Sequence, residues 1–390
     1  MKPLDLGFIA LTDAAPLIVA KERGLFAEEK LDVSLHREAS WATIRDKTAT
    51  GLYQGAHMLA PLAIAANAGI GSDPAPLVVP MSLNAHGAAL GVSGALAGEM
   101  AGTPGPAAGA LAAVVRSRRS DGRPAISLAV VFPYSMHNYM LRFWAASAGV
   151  DPDRDIRIVV APPTAIAARL RSGEIDGFCV GAPWGALCEA ESDARIVLEA
   201  GEFWPSGPDK VLALSQPWAE RDPSLALAVT RAVARAALWA DAPENVDELC
   251  ALLQKPGYLG APASLIARSL RSGEAALSFG RHAALFPWRS HAAWIVSQMA
   301  RWGQIDPGAD VATLVACYRP DMFRAACADI GLSAPLADSK TEGSHDQSWA
   351  IEGSDGQIPM PKDLLPDGRP FNPESAMAYA AGFAITRLAR

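Results

Sequence analysis

The sequence predicts an α/β protein built as two lobes. Three observations carry that expectation. Short apolar, β-compatible runs alternate with helical segments from the first residues onward; a stretch rich in Gly, Ala and Pro at residues 94–124 breaks the alternation; and the same rhythm restarts after it. The 390 residues allow about two or three domains at roughly 100 to 200 residues each, so each lobe can bury its own core.

Residues 4–10 form an apolar first strand, Thr12 and Asp13 can cap, and Pro16 leads a helical run to Glu22 that Gly24 stops. A second strand is expected at 31–35, and Ser40 stands where it can cap a short helix beginning at Trp41. A strand at 56–59, a helix over 61–67 and a strand at 77–83 complete the first cycle. After Arg116, Arg118 and Arg119 and the Asp121-Gly122 turn, strands at 126–132, 156–160 and 175–180 alternate with helices over 135–148 and 164–171, which Gly149 and Gly173 end. Beyond residue 212 the pattern is mostly helical: 224–240 capped by Asp222, then 246–253 and 291–301. Residues 337–369 are polar and turn-rich, and 339–346 is the segment expected to be mobile. The expected division is 1–93 plus 201–390 in lobe I, with the helical part and arm, and 94–200 in lobe II. No period of about 20 to 50 residues repeats, which excludes solenoids and propellers.

Half the residues are apolar and 19% are charged, so the chain is not disordered. With 34 Lys and Arg against 41 Asp and Glu, the net charge of -7 argues against gripping nucleic acid directly, and any bound anion needs a local pocket. The apolar run from Ala14 to Ala20 ends in Lys21-Glu22-Arg23, so no secretory signal is readable. The five cysteines are odd in number and widely spaced, as expected of reduced thiols in a cytosolic protein. No apolar run is long enough for a membrane span. P-loop, Gly-x-Gly-x-x-Gly, His-Glu-x-x-His and Gly-x-Ser-x-Gly signatures are missing, and the histidines lack metal-site spacing, so neither an enzyme nor a metal or cofactor is expected.

Three residues stand out by position. Trp41 lies at a helix start after a strand; a tryptophan commonly packs a core, but here the indole N–H joins helix-start amides as donors suited to a small oxyanion. His137 lies in the first turn of the helix capped by Ser135, where a neutral N–H donor is favoured over imidazolium. Lys210 follows a turn-rich crossover; an ordinary lysine is solvated, but a monovalent anion in a closed cleft needs about one fixed positive charge. His57 and Trp184 suit packing at least as well as ligand contact.

Glu38-Ala39-Ser40-Trp41 with Arg45-Asp46, Gly55-Ala56-His57 with Pro61, Phe132-Pro133 with His137, Cys179-Val180-Gly181 with Pro183-Trp184, Lys210, Ser290-His291 with Trp294, Arg301-Trp302-Gly303 and Phe371-Asn372-Pro373 follow one another as in the nitrate-binding proteins of ABC transporters. The sequence resembles that family through nearly its whole length. The resemblance implies a bilobal periplasmic-binding-protein-like fold (type II), two α/β lobes with a hinge and ligand cleft. It implies Trp41, His137 and Lys210 as ligand-binding residues; His86, Gly87, Ala88, Gly181, Pro183 and Trp184, at or just after apolar strands, are secondary candidates by position. Two positions depart from the family: Ala88 where a ligand-touching Gln is usual, so that His86 or a backbone amide would substitute, and Ala182 where Glu is usual.

With no readable export signal, the sequence looks like the NasS-type cytoplasmic nitrate and nitrite sensors, which pair with NasT, an RNA-binding antiterminator of the ANTAR class. The resemblance then implies that the anion closes the cleft and releases NasT; the lobe rims or the 337–369 arm are expected to form the partner surface, since they move with closure or are free to adapt. The alternative is a substrate-binding protein of a nitrate or bicarbonate ABC transporter. A third class, an enzyme resembling the thiamine-pyrimidine synthases, lacks its cysteine-rich segment here.

Overall fold

The computed structural model describes residues 2–271 and 276–388. In chain order the strands are β1 (Lys2–Ile9), β2 (Leu31–Glu38), β3 (Gly55–Leu59), β4 (Leu77–Ser82), β5 (Ala88–Val92), β6 (Ser127–Val130), β7 (Arg157–Val160), β8 (Gly177–Gly181), β9 (Arg195–Glu199), β10 (Lys210–Ser215), β11 (Trp349–Gly353) and β12 (Gly356–Met360). They form two five-stranded sheets, ordered β2-β1-β3-β10-β4 and β7-β6-β8-β5-β9, and a separate hairpin of β11 and β12. Both large sheets are mixed. In the first, β1 pairs parallel with β2 and β3, and β10 runs antiparallel between β3 and β4. In the second, β6 pairs parallel with β7 and β8, while β5 runs antiparallel to β8 and β9.

The two α/β lobes are those the alternation predicts, but the pairing moves the first crossover. Sequence reasoning placed residues 88–92 in lobe I; they are β5, inside the second sheet, so the chain leaves lobe I between Ser82 and Ala88 rather than near residue 93. The alternation marks where strands begin, whereas their sheet is chosen by register with β8 and β9, more than 80 residues away. The chain returns between Glu199 and Lys210.

Local chemistry sets the helix starts. Ser40, Ser93 and Ser135 occupy N-caps, and their side chains accept from the backbone N–H of Thr43, Leu96 and Asn138. Each such cap is worth about 1 kcal/mol. Asp13 and Asp222, also expected to cap, do not: neither bonds its helix N-terminus. Asp222 instead pairs with Lys2 and Arg221 at the surface, and Asp13 turns inward. The Gly/Ala/Pro-rich stretch folds as two helices, Gly94–Met100 and Ala107–Ser120, with Arg118 pinned by Glu99 and Asp176.

The arm is tied down where mobility was expected. Lys340 and Glu342 are buried; Lys340 pairs with Glu342 and lies 3.3 Å from Asp363, while Ser290 donates to Glu342 at 2.6 Å. A polar segment that carries matched charges into a partly apolar site loses the freedom its composition suggests. Asp363 also accepts from Trp204 Nε1 at 2.9 Å and Ser206 Oγ at 2.7 Å, which fastens the arm to the second crossover. All five cysteines are free and buried. Among the described residues, no helix is long and apolar enough to cross a membrane.

Candidate functional site

The turn after β1, the middle of β3 and the start of the antiparallel β10 bring a charged cluster together at the seam of the lobes. β1 runs into a single 3-10 turn, Thr12–Ala14, which carries Asp13; β3 contributes His57; Asp209 and Lys210 open β10. Asn84 fixes the start of β10 by accepting from Lys210 N at 3.1 Å. Trp41, the first residue of its helix, packs its ring 5.4 Å from that of His57, and Lys210 Nζ stands 5.9 Å from the Trp41 ring. From lobe II come His137, in the first turn of the helix Met136–Ser147, and Gly181 at the end of β8.

Lys210 is wholly buried, and its ammonium donates to Asp13 Oδ2 at 2.9 Å and to Asp209 Oδ2 at 2.5 Å. Asp13 is shared: its other oxygen lies 2.8 Å from His57 Nε2. His57 Nδ1 accepts from Ile9 N at 3.4 Å, which places the ring proton on Nε2, facing Asp13 by an oblique approach. His137 Nε2 is 3.9 Å from Asp209 Oδ2, an electrostatic neighbour beyond hydrogen-bond reach.

Burial and charge pull these groups apart. Burial opposes the charged form of Lys210, but the carboxylates of Asp13 and Asp209 overcome it and keep the ammonium protonated. Burial also works against the Asp13 carboxylate, yet Lys210 and His57 hold it well below the usual carboxylate range. For Asp209, burial and the facing Asp13 outweigh Lys210 and push it up to about 6. His137 is driven well below its ordinary value by burial and by Lys210, and burial lowers His57 too, so both rings are neutral donors.

Several buried polar atoms beside this cluster have no hydrogen-bond partner: the Trp41 indole nitrogen, the Thr12 hydroxyl, both His137 ring nitrogens and Asp209 Oδ1. An unpartnered buried donor costs about 1 to 3 kcal/mol, so finding several beside one ammonium signals a polar ligand rather than a packing accident. The chemistry on offer is an ammonium, an indole N–H, an imidazole N–H and a hydroxyl, a donor-rich set suited to a small oxyanion.

Trp41, His137 and Lys210, the three residues the sequence marks by position, lie together: Lys210 Nζ is 5.9 Å from the Trp41 ring and its charge acts on His137. Gly181 joins them: a Cβ there would lie 3.0 Å from Leu11 Cδ2 and 3.5 Å from His137 Nε2. Ala88 borders a small crevice with Asp209 and Met136. His86 faces backbone instead: its Nδ1 lies 3.0 Å from the Ala276 carbonyl and its Nε2 2.6 Å from the Pro205 carbonyl, and a neutral ring donates to one of the two. Gly87 has φ +89°, and a Cβ would meet Leu277 at 2.5 Å, so that glycine serves the backbone. Trp184 is a lock between lobes: its Nε1 donates to the Ala10 carbonyl at 2.7 Å, beside a bond from Thr12 N to the Ala182 carbonyl at 2.8 Å. Pro183 follows Ala182 through a cis peptide at this seam. Asp13, Asp209 and Thr12 carry no site role in the sequence reading, and His57 is there weighed as packing against ligand contact; the pairing of β3 with both β1 and β10 is the signal that could have found them.

The chain matches the NMT1-like family over residues 1–254. It is 30% identical to the nitrate/nitrite binding protein NrtA of Synechococcus elongatus over 403 residues, covering 98% of this chain and 86% of that protein. It is 32% identical over 391 residues to the bicarbonate transport ATP-binding protein CmpC of the same species, covering 98% of this chain but only 55% of CmpC. Among solved structures, the periplasmic nitrate-binding protein NrtA from Synechocystis PCC 6803 superposes with a TM-score of 0.86 at 26% identity, covering 99% of both chains. The two mixed-sheet lobes are thus a periplasmic-binding-protein fold, and the chain belongs to the NMT1-like family.

Proposed function

We propose that this chain is a binding protein for a small oxyanion of the nitrate class, held between the lobes, of the kind that hands its ligand to an ABC transporter. The observation that carries the reading is a wholly buried Lys210 ammonium with the unpartnered, buried Trp41 indole 5.9 Å away and the unpartnered, buried His137 ring within its field. The names of its relatives support the ligand class and the transport setting, and they include a bicarbonate transport protein as well as nitrate-binding ones. No residue is placed as a catalyst.

The second reading is the cytoplasmic NasS-type sensor with an ANTAR-class partner. It is favoured by one feature: Asp363 of the arm bonds Trp204 and Ser206 of the second crossover, so the arm is tied to the segment through which any movement of the lobes would pass. A ligand releases a partner only if the partner binds the two lobe angles with different affinity.

Isothermal titration with nitrate, nitrite, bicarbonate and a sulfonate, each with and without an ANTAR-type protein, separates these. Nitrate or nitrite binding without any effect of the partner supports transport; anion-dependent loss of partner binding supports the sensor. Tight bicarbonate binding with no response to nitrate or nitrite contradicts the nitrate-class ligand.

A further inference from the structure

We infer that the inter-lobe site takes up its anion together with one proton, which comes from solvent and lands on the carboxylate of Asp209. The inference rests on the proposed anion site and adds what sets its affinity.

The charge balance carries it. Lys210 is the only fully buried ammonium in the cluster, and it already faces two carboxylates, Asp13 at 2.9 Å and Asp209 at 2.5 Å. With both ionised and His57 and His137 neutral, Lys210, Asp13 and Asp209 together carry about one net negative charge before any ligand arrives. Adding a monovalent anion to a fully buried site of that sign is opposed by Coulomb repulsion that water does not screen. Neutralising one carboxylate removes that repulsion.

The surroundings choose Asp209. The charged and titratable groups around it are Lys210 on its own strand, Asp13 from the turn after β1, His57 on β3, His137 on the lobe II helix and Cys179 on β8; His86 lines the same small crevice but gives its ring to backbone carbonyls. Asp13 is held by both Lys210 and His57, so it keeps its charge. Asp209 has Lys210 on one oxygen while Oδ1 is buried without a partner. A proton on that oxygen removes the excess charge and turns it into one more donor toward the anion. Burial, with Asp13 opposite, already pushes Asp209 to about 6, close to where such a proton is easily taken. His57 and His137 are poorer acceptors, since burial lowers both.

In stoichiometric terms, the Asp209 carboxylate, a solvent proton and the anion combine to give a neutral carboxyl beside the bound anion. Above about pH 6 the free site must gain the proton on binding, so affinity falls about tenfold per pH unit; below it the carboxyl is already protonated and the dependence flattens.

The test is calorimetry of the full chain with nitrate, which does not titrate in this range, in two buffers of different ionisation enthalpy from pH 5 to pH 8.5. About one proton taken up per nitrate at pH 8, declining toward none at pH 5, is expected, with Asp209→Asn binding nitrate independently of pH. If Asp209→Asn does not fold, an infrared difference spectrum of the wild-type protein with and without nitrate reads the same event, as a carboxylic acid C=O band that appears on binding. Nitrate binding without proton uptake, uptake that persists in Asp209→Asn, or uptake without a carboxylic acid band overturns the inference while leaving the anion site standing. No nitrate binding at any pH removes both.

Discussion

Lys210 donates to Asp13 across 197 residues of chain, at 2.9 Å and with both side chains wholly buried. The turn after the first strand and the strand that returns from lobe II are thereby joined by charge at the seam of the fold. A buried ammonium is tolerated only while its carboxylates face it, and the converse holds for them.

Lys210→Ala therefore leaves Asp13 and Asp209 buried without their cation, and a loss of about 3 to 5 kcal/mol in denaturant unfolding is expected. Anion affinity falls with it, by about 2 kcal/mol or more. Combining Lys210→Met with Asp13→Asn and Asp209→Asn restores most of the stability but not anion binding. A triple variant that still binds nitrate contradicts the role given to the charge.

Trp41→Phe keeps an aromatic ring in the core and removes the indole N–H. Nitrate affinity is expected to fall by about 1.5 to 3 kcal/mol, the range for a hydrogen bond to a charged group. Unfolding stability should fall by less than the roughly 3 to 5 kcal/mol of a Trp-to-Ala cavity. Equal losses in binding and stability would make Trp41 a packing residue only.

Trp184 touches the site's frame rather than the site. Its bond to the Ala10 carbonyl links lobe II to lobe I at 2.7 Å. Trp184→Phe leaves that carbonyl without its donor, so nitrate affinity should drop by about 1 to 3 kcal/mol with no change in anion preference. Titration of nitrate against nitrite in the variant checks both parts.

The arm gives an acid signature. Burial opposes ionisation of Glu342, but Lys340 and His291 overcome it and hold the carboxyl near 2, below its ordinary 4.5. A depressed value stabilises the fold above about pH 4.5, and that contribution is lost as pH falls toward 2, an amount of about 3 kcal/mol. Glu342→Gln should flatten the pH dependence of the unfolding free energy in that window. An unchanged slope would mean that the arm is not held by this charge.

The parts of this site visible in the sequence are those set by local turn chemistry. Ser40 and Ser135 announce helix starts, and the residues that follow them, Trp41 and His137, reach the inter-lobe space. Lys210 could be suspected from its crossover. Asp13 resembled a helix cap, because a sequence shows the short polar side chain but not the β3 histidine and β10 lysine that turn it inward. Residues 339–346 looked mobile for the same reason: the composition is polar, while the buried partners Ser290 and Asp363 lie 20 or more positions away. The assignment of β5 to lobe II depends on register with β8 and β9, which apolar alternation does not encode.

If the Lys210 cluster receives the anion, the anion's oxygens must meet its donors. A crystal structure of the nitrate complex tests it most directly. Nitrate oxygens are expected within about 3 Å of Lys210 Nζ, Trp41 Nε1 and a His137 ring nitrogen. Nitrate bound elsewhere, with those donors still unpartnered, would contradict it.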